Sequence, residues 1–263
     1  MGDVHGNGGW VRKRLLDFAD LGITKILQLG DFGLFSSNNA DKYLHRVNKI
    51  LAENGQTLFV TLGNHEDYVR VSRFQTLQDG ENAGWQYEKA YPNILFAPRP
   101  HRWEWSGVSF VSLGGANSID RIYRTENISW WPGEQISLGE VWNTREGGHA
   151  DVFLAHDCPS GVPLFGGHKA GTGNWGYEDI AYAVKSRDSL RDAVDVVKPD
   201  LLLHGHYHFL ADYTTELLDN VDEKYTLHSV GLNKDEEKNN IAVLTLPTLQ
   251  LDFIDYDPKA VRH

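Results

Sequence analysis

Five short segments of this chain carry residue types that bind metal ions. They are Gly2-Asp3-Val4-His5-Gly6-Asn7, Gly30-Asp31, Gly63-Asn64-His65-Glu66, His156-Asp157 and Leu203-His204-Gly205-His206-Tyr207-His208. Carboxylates, neutral imidazoles and an amide oxygen suit borderline divalent ions such as Mn, Fe, Zn or Ni. The chain has one cysteine, Cys158, so a thiolate cluster of the structural zinc-finger kind is excluded. Seven ligand groups are too many for one tetrahedral ion and suit two ions sharing a carboxylate. Two ions about 3.5–4 Å apart generate hydroxide, since a metal-bound water reaches a pKa of about 7 rather than about 15.7. They also clamp both oxygens of an in-line phosphoryl displacement.

These groups sit where a parallel sheet would gather them. The runs Ile23 to Leu29 and Thr57 to Thr61 read as buried strands, followed by Asp31 and by Asn64 and His65. Asp151 to Ala155 leads into His156, and Leu201 to Leu203 leads into His204. Loops that bind ligands collect at the C-terminal edge of parallel strands. Between the strands lie helix-spaced apolar residues at Trp10 to Ala19, with Gly22 as its stop, and at Asn39 to Glu53. Strand and helix alternating in this way predict crossover connections.

Short strands are predicted at Ile94 to Ala97, His101 to Trp105 and Val108 to Leu113, with a hairpin turn at Ser106-Gly107. Gly114 to Gly133, rich in Trp, Arg and Asn, reads as a long functional loop. Pro159 to Gly176 is a Gly-rich loop and Tyr177 to Val197 a long helix. Tyr225 to Leu232, Ile241 to Leu246 and Thr248 to Ile254 read as consecutive antiparallel strands.

Composition narrows the function. The 263 residues suffice for one large α/β domain, and 41% hydrophobic residues argue against disorder. A net charge of −11 repels long nucleic acid. A lone cysteine, no leader-like start and no long apolar run make a cytoplasmic protein without membrane spans the expectation.

Taken in order, the five segments resemble the motifs of the calcineurin-like metallophosphoesterase family: Asp-x-His, Gly-Asp, Gly-Asn-His-Asp/Glu, a lone His and Gly-His-x-His. The last corresponds to Gly205-His206-Tyr207-His208, and the set spans positions 3 to 208. The resemblance implies an α/β fold, the four-layer α/β/β/α sandwich of that family, as a single domain over residues 1–263. It implies two divalent ions, Mn or Fe foremost, with Zn or Ni as alternatives. Asp3, His5, Asp31 and His208 would hold one; Asp31, Asn64, His156 and His206 would hold the other. His65 would be the acid that protonates the leaving oxygen or steadies the phosphate, and His204 a strand-end structural residue. In the family a buried strand delivers the first Asp and His. Here only Met1 and Gly2 precede Asp3, which leaves two readings open: a start upstream, or a sheet without that strand.

The implied activity is hydrolysis of a phosphomonoester or phosphodiester. A metal-dependent nuclease acting on nucleotides or short oligonucleotides shares the same site. A catalytically idle metal-binding protein and a single-zinc hydrolase are the remaining rivals, the latter leaving Asn64 and a shared Asp31 unexplained. Gly114 to Ser118 with Asp120, Arg124 and Ser129 to Pro132 resembles a loop of bacterial and phage-like family members. Arg124 would fork onto substrate phosphate, or else pair with Asp120 or Glu126. Glu66 reads as a brace for His65 or a helix start. His101, His149 and His168 are weaker cleft candidates, and Cys158 reads as a small buried residue. Gly171 to Gly176 fits a dinucleotide pattern, but no strand runs directly into it.

Overall fold

The computed structural model describes residues 1–35, 37–164 and 175–254. In chain order the elements are α1 (Gly8–Asp20), β1 (Lys25–Gln28), α2 (Asn38–Glu53), β2 (Thr57–Val60), α3 (Tyr68–Val71), β3 (Gln75–Thr76), β4 (Gln86–Tyr87), β5 (Ile94–Phe96) and β6 (His101–Trp105). They continue with β7 (Val108–Leu113), α4 (Leu138–Glu146), β8 (Val152–Ala155), α5 (Tyr177–Val197), β9 (Leu201–His204), β10 (Ala211–Leu218), β11 (Lys224–Gly231), β12 (Ala242–Thr245) and β13 (Gln250–Phe253).

Local chemistry sets the first elements. The Asn7 side chain accepts the Trp10 N–H and starts α1, which buries Trp10, Val11, Leu15 and Phe18. Ser37 caps α2 in the same way, accepting from the Ala40 N–H. Ser106 and Gly107, at φ of +53° and +76°, make the tight turn between β6 and β7.

Two mixed sheets result. The first has the order β1-β2-β5-β4-β3, the second β10-β11-β9-β8-β7-β6, and β12 pairs with β13 alone. β1, β2 and β5 are parallel, as are β7, β8, β9 and β11, with antiparallel strands at the outer positions.

Alternating side chains along each strand serve two cores. Phe59, Leu95, Phe110, Val152, Leu154 and Leu203 meet between the sheets. On the outer face of the first sheet, Leu58, Val60, Ile94 and Phe96 pack with residues of α1 and α2. On that of the second, Val111, Phe153, Ala155 and Leu202 pack with residues of α4 and α5. The result is the expected α/β/β/α sandwich.

Several elements differ from expectation. β11 does not run on into β12; it pairs antiparallel with β10 and parallel with β9. β10, α3, α4, β3 and β4 were not foreseen. Among the described residues no strand precedes α1. Instead Met1 makes one parallel bridge to the open side of β1: its amine donates to Leu27 O at 2.9 Å, and the Leu29 N–H donates to Met1 O at 3.0 Å. Gly2 N–H donates to Asn240 O at 2.9 Å on the other side. Asp3 thus reaches the sheet edge on an extended segment tied at both flanks. His168 and Gly171 to Asn174 lie outside the described residues. Among those described, no helix is long and apolar enough to cross a membrane.

Candidate metal centre

The C-terminal ends of β1, β2, β8 and β9 deliver the ligand types to one edge. Asp31 follows β1, Asn64 and His65 follow β2, His156 follows β8, and His206 and His208 follow β9. Asp3 and His5 arrive beside them on the segment that bridges β1. The backbone turns sharply here: His5, Asp31, His206 and His208 have φ of +42°, +54°, +71° and +58°. Left-handed backbone is uncommon for residues with a side chain and persists only where the surroundings hold it. Gly205 lets the backbone pass against the Asp3 carboxylate, where a Cβ would collide.

All seven residues expected as ligands converge. Asp3, His5 and His208 bring ligand atoms within 4.8 Å of one another, as do Asp31, His156 and His206. His208 Nε2 lies 3.0 Å from both Asp3 Oδ2 and His5 Nε2. His156 Nε2 lies 2.9 Å from Asn64 Oδ1 and 3.4 Å from Asp31 Oδ1. Asp31 Oδ2 lies 3.9 Å from His5 Nδ1, so this carboxylate stands between the two sets. Ring nitrogens, carboxylate oxygens and an amide oxygen crowded together in this way form a donor set that fits divalent ions.

Hydrogen bonds behind the ligands fix their aim. His156 Nδ1 meets Leu29 O at 2.7 Å, which turns Nε2 toward Asp31 and Asn64. The His206 N–H donates to both Asp3 oxygens at 3.1 Å. Glu66, wholly buried, neither braces His65 nor caps a helix. It accepts the Gly63 and Asp31 N–H groups on one oxygen and those of Phe32 and Gly33 on the other, at 2.6–3.3 Å. One carboxylate therefore holds the loops that follow β1 and β2. The short helix α3 is capped by Asp67 instead.

Charge follows from burial and neighbours. Burial works to raise the Asp31 pKa but is outweighed by His156, His65 and His5, which hold it well below the carboxylate range. Burial works against charge on His156, yet Asp31 keeps its pKa up at about 10. Burial pushes His206 down to about 3. Burial also lowers His65, with Asp31 opposing and Arg124 reinforcing.

A shallow cleft of about 200 Å³ opens above these groups, lined among others by Asp31, His65, Asp120, Arg124, Trp175 and His208. Arg124 pairs with Asp120, the second of its two readings. Its guanidinium forks onto Asp120 at 2.8 and 2.9 Å, and its other edge faces the His65 ring nitrogens at 3.0 and 3.3 Å.

The remaining histidines lie elsewhere. His204 is buried, with Nδ1 3.0 Å from Gly205 O, and burial pushes it down to about 4. His101 packs against Trp85 and Trp103. His149 is exposed and lies near Asp151 and Asp200, which precede β8 and β9 and so sit at the opposite sheet edge. Cys158 is buried, and burial pushes its thiol up to about 12.

Two residues escaped the sequence reading. Arg99 gathers the carbonyls of Gly114, Gly133, Glu134 and Gln135 together with the Glu140 carboxylate. Glu134, wholly buried, anchors Ser118 beside Asn64. Arg99 lies in the short link between β5 and β6 and Glu134 in a 3-10 turn (Pro132–Glu134), and neither place carries a local pattern that would mark it.

The family model of calcineurin-like phosphoesterases matches residues 1–210, and the chain belongs to that family. It is accordingly a metal-dependent hydrolase of phosphoester bonds. Comparison with curated proteins finds no match. Among solved structures, a dimetal phosphatase from Danio rerio is 14% identical with a TM-score of 0.50, covering 87% of this chain and 78% of that one. TT1561 of Thermus thermophilus is 15% identical with a TM-score of 0.49, covering 96% and 95%. A further crystal structure is 13% identical with a TM-score of 0.57, covering 97% and 96%. At such identities the likeness speaks for the fold alone.

Proposed function

We propose that this protein hydrolyses a phosphomonoester or phosphodiester with two divalent ions, Mn or Fe foremost. Asp3, His5, Asp31 and His208 hold one ion; Asp31, Asn64, His156 and His206 hold the other. The observation that carries this reading is the pair of ligand triads, Asp3-His5-His208 and Asp31-His156-His206, with Asp31 of the second reaching His5 of the first. When bound, the ions supply Lewis acidity to the phosphoryl oxygens and make water acidic enough to react near neutral pH.

The chain's own side chains do the rest. Arg124, oriented by Asp120 and lying against His65 at the cleft wall, turns the edge that now meets the His65 ring to nonbridging phosphate oxygens. His65, between Asp31 and Arg124, faces the leaving oxygen and donates its proton there. A second reading, action on nucleotides or short oligonucleotides, is favoured by Trp175. This ring lines the cleft 6.0 Å from the exposed ring of Tyr123, offering a flat surface to a base. The net charge of −11 disfavours long nucleic acid. The single buried thiol accords with a reducing compartment such as the cytoplasm.

The test is hydrolysis of an aryl phosphomonoester and its diester analogue by metal-stripped protein, with and without Mn, beside Asn64→Ala and His65→Ala. Metal-dependent turnover lost in both variants is the expected result, and the preferred ester assigns the substrate class. No turnover of either ester at saturating Mn would overturn the reading.

A further inference from the structure

A side-chain amide binds a metal ion through its oxygen, yet its two ends are nearly the same shape. Something must choose which end faces the ion. At Asn64 the choice is made by Ser118, beside it in the cleft wall. Asn64 Nδ2 donates to Ser118 Oγ at 2.8 Å, and Oδ1 points the other way, 2.9 Å from His156 Nε2. Ser118 Oγ would accept from Nδ2 or donate to Oδ1 with equal ease. It accepts because its own proton is committed to Glu134 Oε2 at 2.6 Å.

Glu134 is in turn surrounded by donors. The Ser118 N–H, the Trp130 indole N–H and the Tyr182 hydroxyl all reach its Oε1, at 2.8, 2.8 and 3.0 Å. A carboxylate meeting two fixed N–H donors and a phenol acts as acceptor only. Glu134, Ser118 and Asn64 are all buried, at 0%, 1% and 2% exposure, so water does not substitute for a partner.

We propose that Glu134 is a positioning residue that, through Ser118, sets the orientation of the Asn64 amide and so presents its oxygen to the second ion. This rests on the two-ion reading above. Glu134 touches neither ion nor substrate, and its polarity passes along the chain as acceptor, hydroxyl, amide N–H, free amide oxygen. Glu134→Gln keeps the shape and destroys that polarity, because its amide can donate to Ser118 and free the hydroxyl to donate to a flipped Asn64. An aspartate at position 64 reverses the requirement: with oxygens at both ends it needs Ser118 to donate, and an anionic Glu134 opposes this.

The experiment titrates metal-stripped full-length protein with Mn²⁺, counting bound equivalents by electron paramagnetic resonance, beside melting of the metal-free protein. Wild type binds two equivalents. Glu134→Gln and Asn64→Asp each weaken one equivalent by about 10- to 100-fold, the range typical of groups behind metal ligands. The double variant recovers most of that loss. Trp130→Phe, which removes one donor without reversing the chain, lowers melting but keeps both equivalents.

A double variant weaker than either single one, or wild-type Mn²⁺ affinity in folded Glu134→Gln, would overturn the proposal. If Glu134→Gln does not fold, Ser118→Ala takes its place: loss of one equivalent is expected, and two at wild-type affinity would overturn it. Fewer than two equivalents in wild type would instead remove the two-ion reading itself.

Discussion

The two halves of the metal centre are built differently. On the side of Asn64 and His156 the polar atoms are sunk into the fold and held from behind, with only His206 half-buried there. His156 has no exposed side-chain surface and is tied to Leu29 O, and Asn64 is tied to Ser118. On the other side Asp3 is buried, but His5 and His208 keep 29% and 40% of their side chains exposed. These two rings meet each other through their Nε2 atoms. The difference teaches that support is unequal within one site: the half fed by β2 and β8 is held by hydrogen bonds of the fold itself, and on the proposed two-ion reading the half beside Met1 to His5 depends more on its ion.

Breaking the buried half has the largest expected effect. His156→Ala lowers kcat/KM by about 10³-fold, beyond the 10–100-fold typical of groups behind the ligands. It also lowers melting of the metal-free protein, because Asp31 loses its nearest cationic partner. Steady-state kinetics and a melt in chelator check both. Glu66→Ala strands four buried N–H groups and costs about 4 kcal/mol. In a chain of this size that is a melting decrease of about 8–16 °C, read in chelator so that ion binding does not mask it.

A third effect lies outside the centre and must be subtracted before either half is compared across pH. Burial holds His101 at about 4 in the folded chain, against 6.5 for a free imidazole. The folded ring stays neutral while the unfolded one takes a proton. This stability is complete above pH 6.5 and is lost as pH falls toward 4, by at most about 3 kcal/mol. Urea unfolding at pH 7 and pH 5 shows the loss, and His101→Phe removes the share due to this residue. The smallest effect sharpens the contrast. His208→Ala weakens one Mn²⁺ equivalent by about 10- to 100-fold while metal-free melting stays within about 2 °C. A large melting loss there would erase the distinction between the halves.

The convergence of these polar groups was legible because all but His208 stand beside glycine or at the end of an apolar run, and the strands that carry most of them are short, continuous apolar stretches. What lay beyond reach depends on partners distant in sequence. Glu134 bonds Ser118 across 16 positions and Tyr182 across 48, and no local pattern announces either contact. β10 escaped because its Tyr213 to Glu216 stretch is polar and only Ala211 and Leu217 are buried. α4 escaped because it buries only Val141 and Thr144, too few to draw an apolar stripe. Glu66 was seen next to His65, but its hold on the loop of Asp31 depends on β1 and β2 lying side by side.

That hold has a mechanical consequence. A carboxylate gripping amides from two loops is a spacer of fixed length, so the span from Asp31 to Asn64 is set by one small rigid group and not by the stiffness of either loop. Thermal drift of one loop carries the other with it. Any displacement of the sheet edge that leaves these bonds intact therefore leaves the gap between the two loops unchanged.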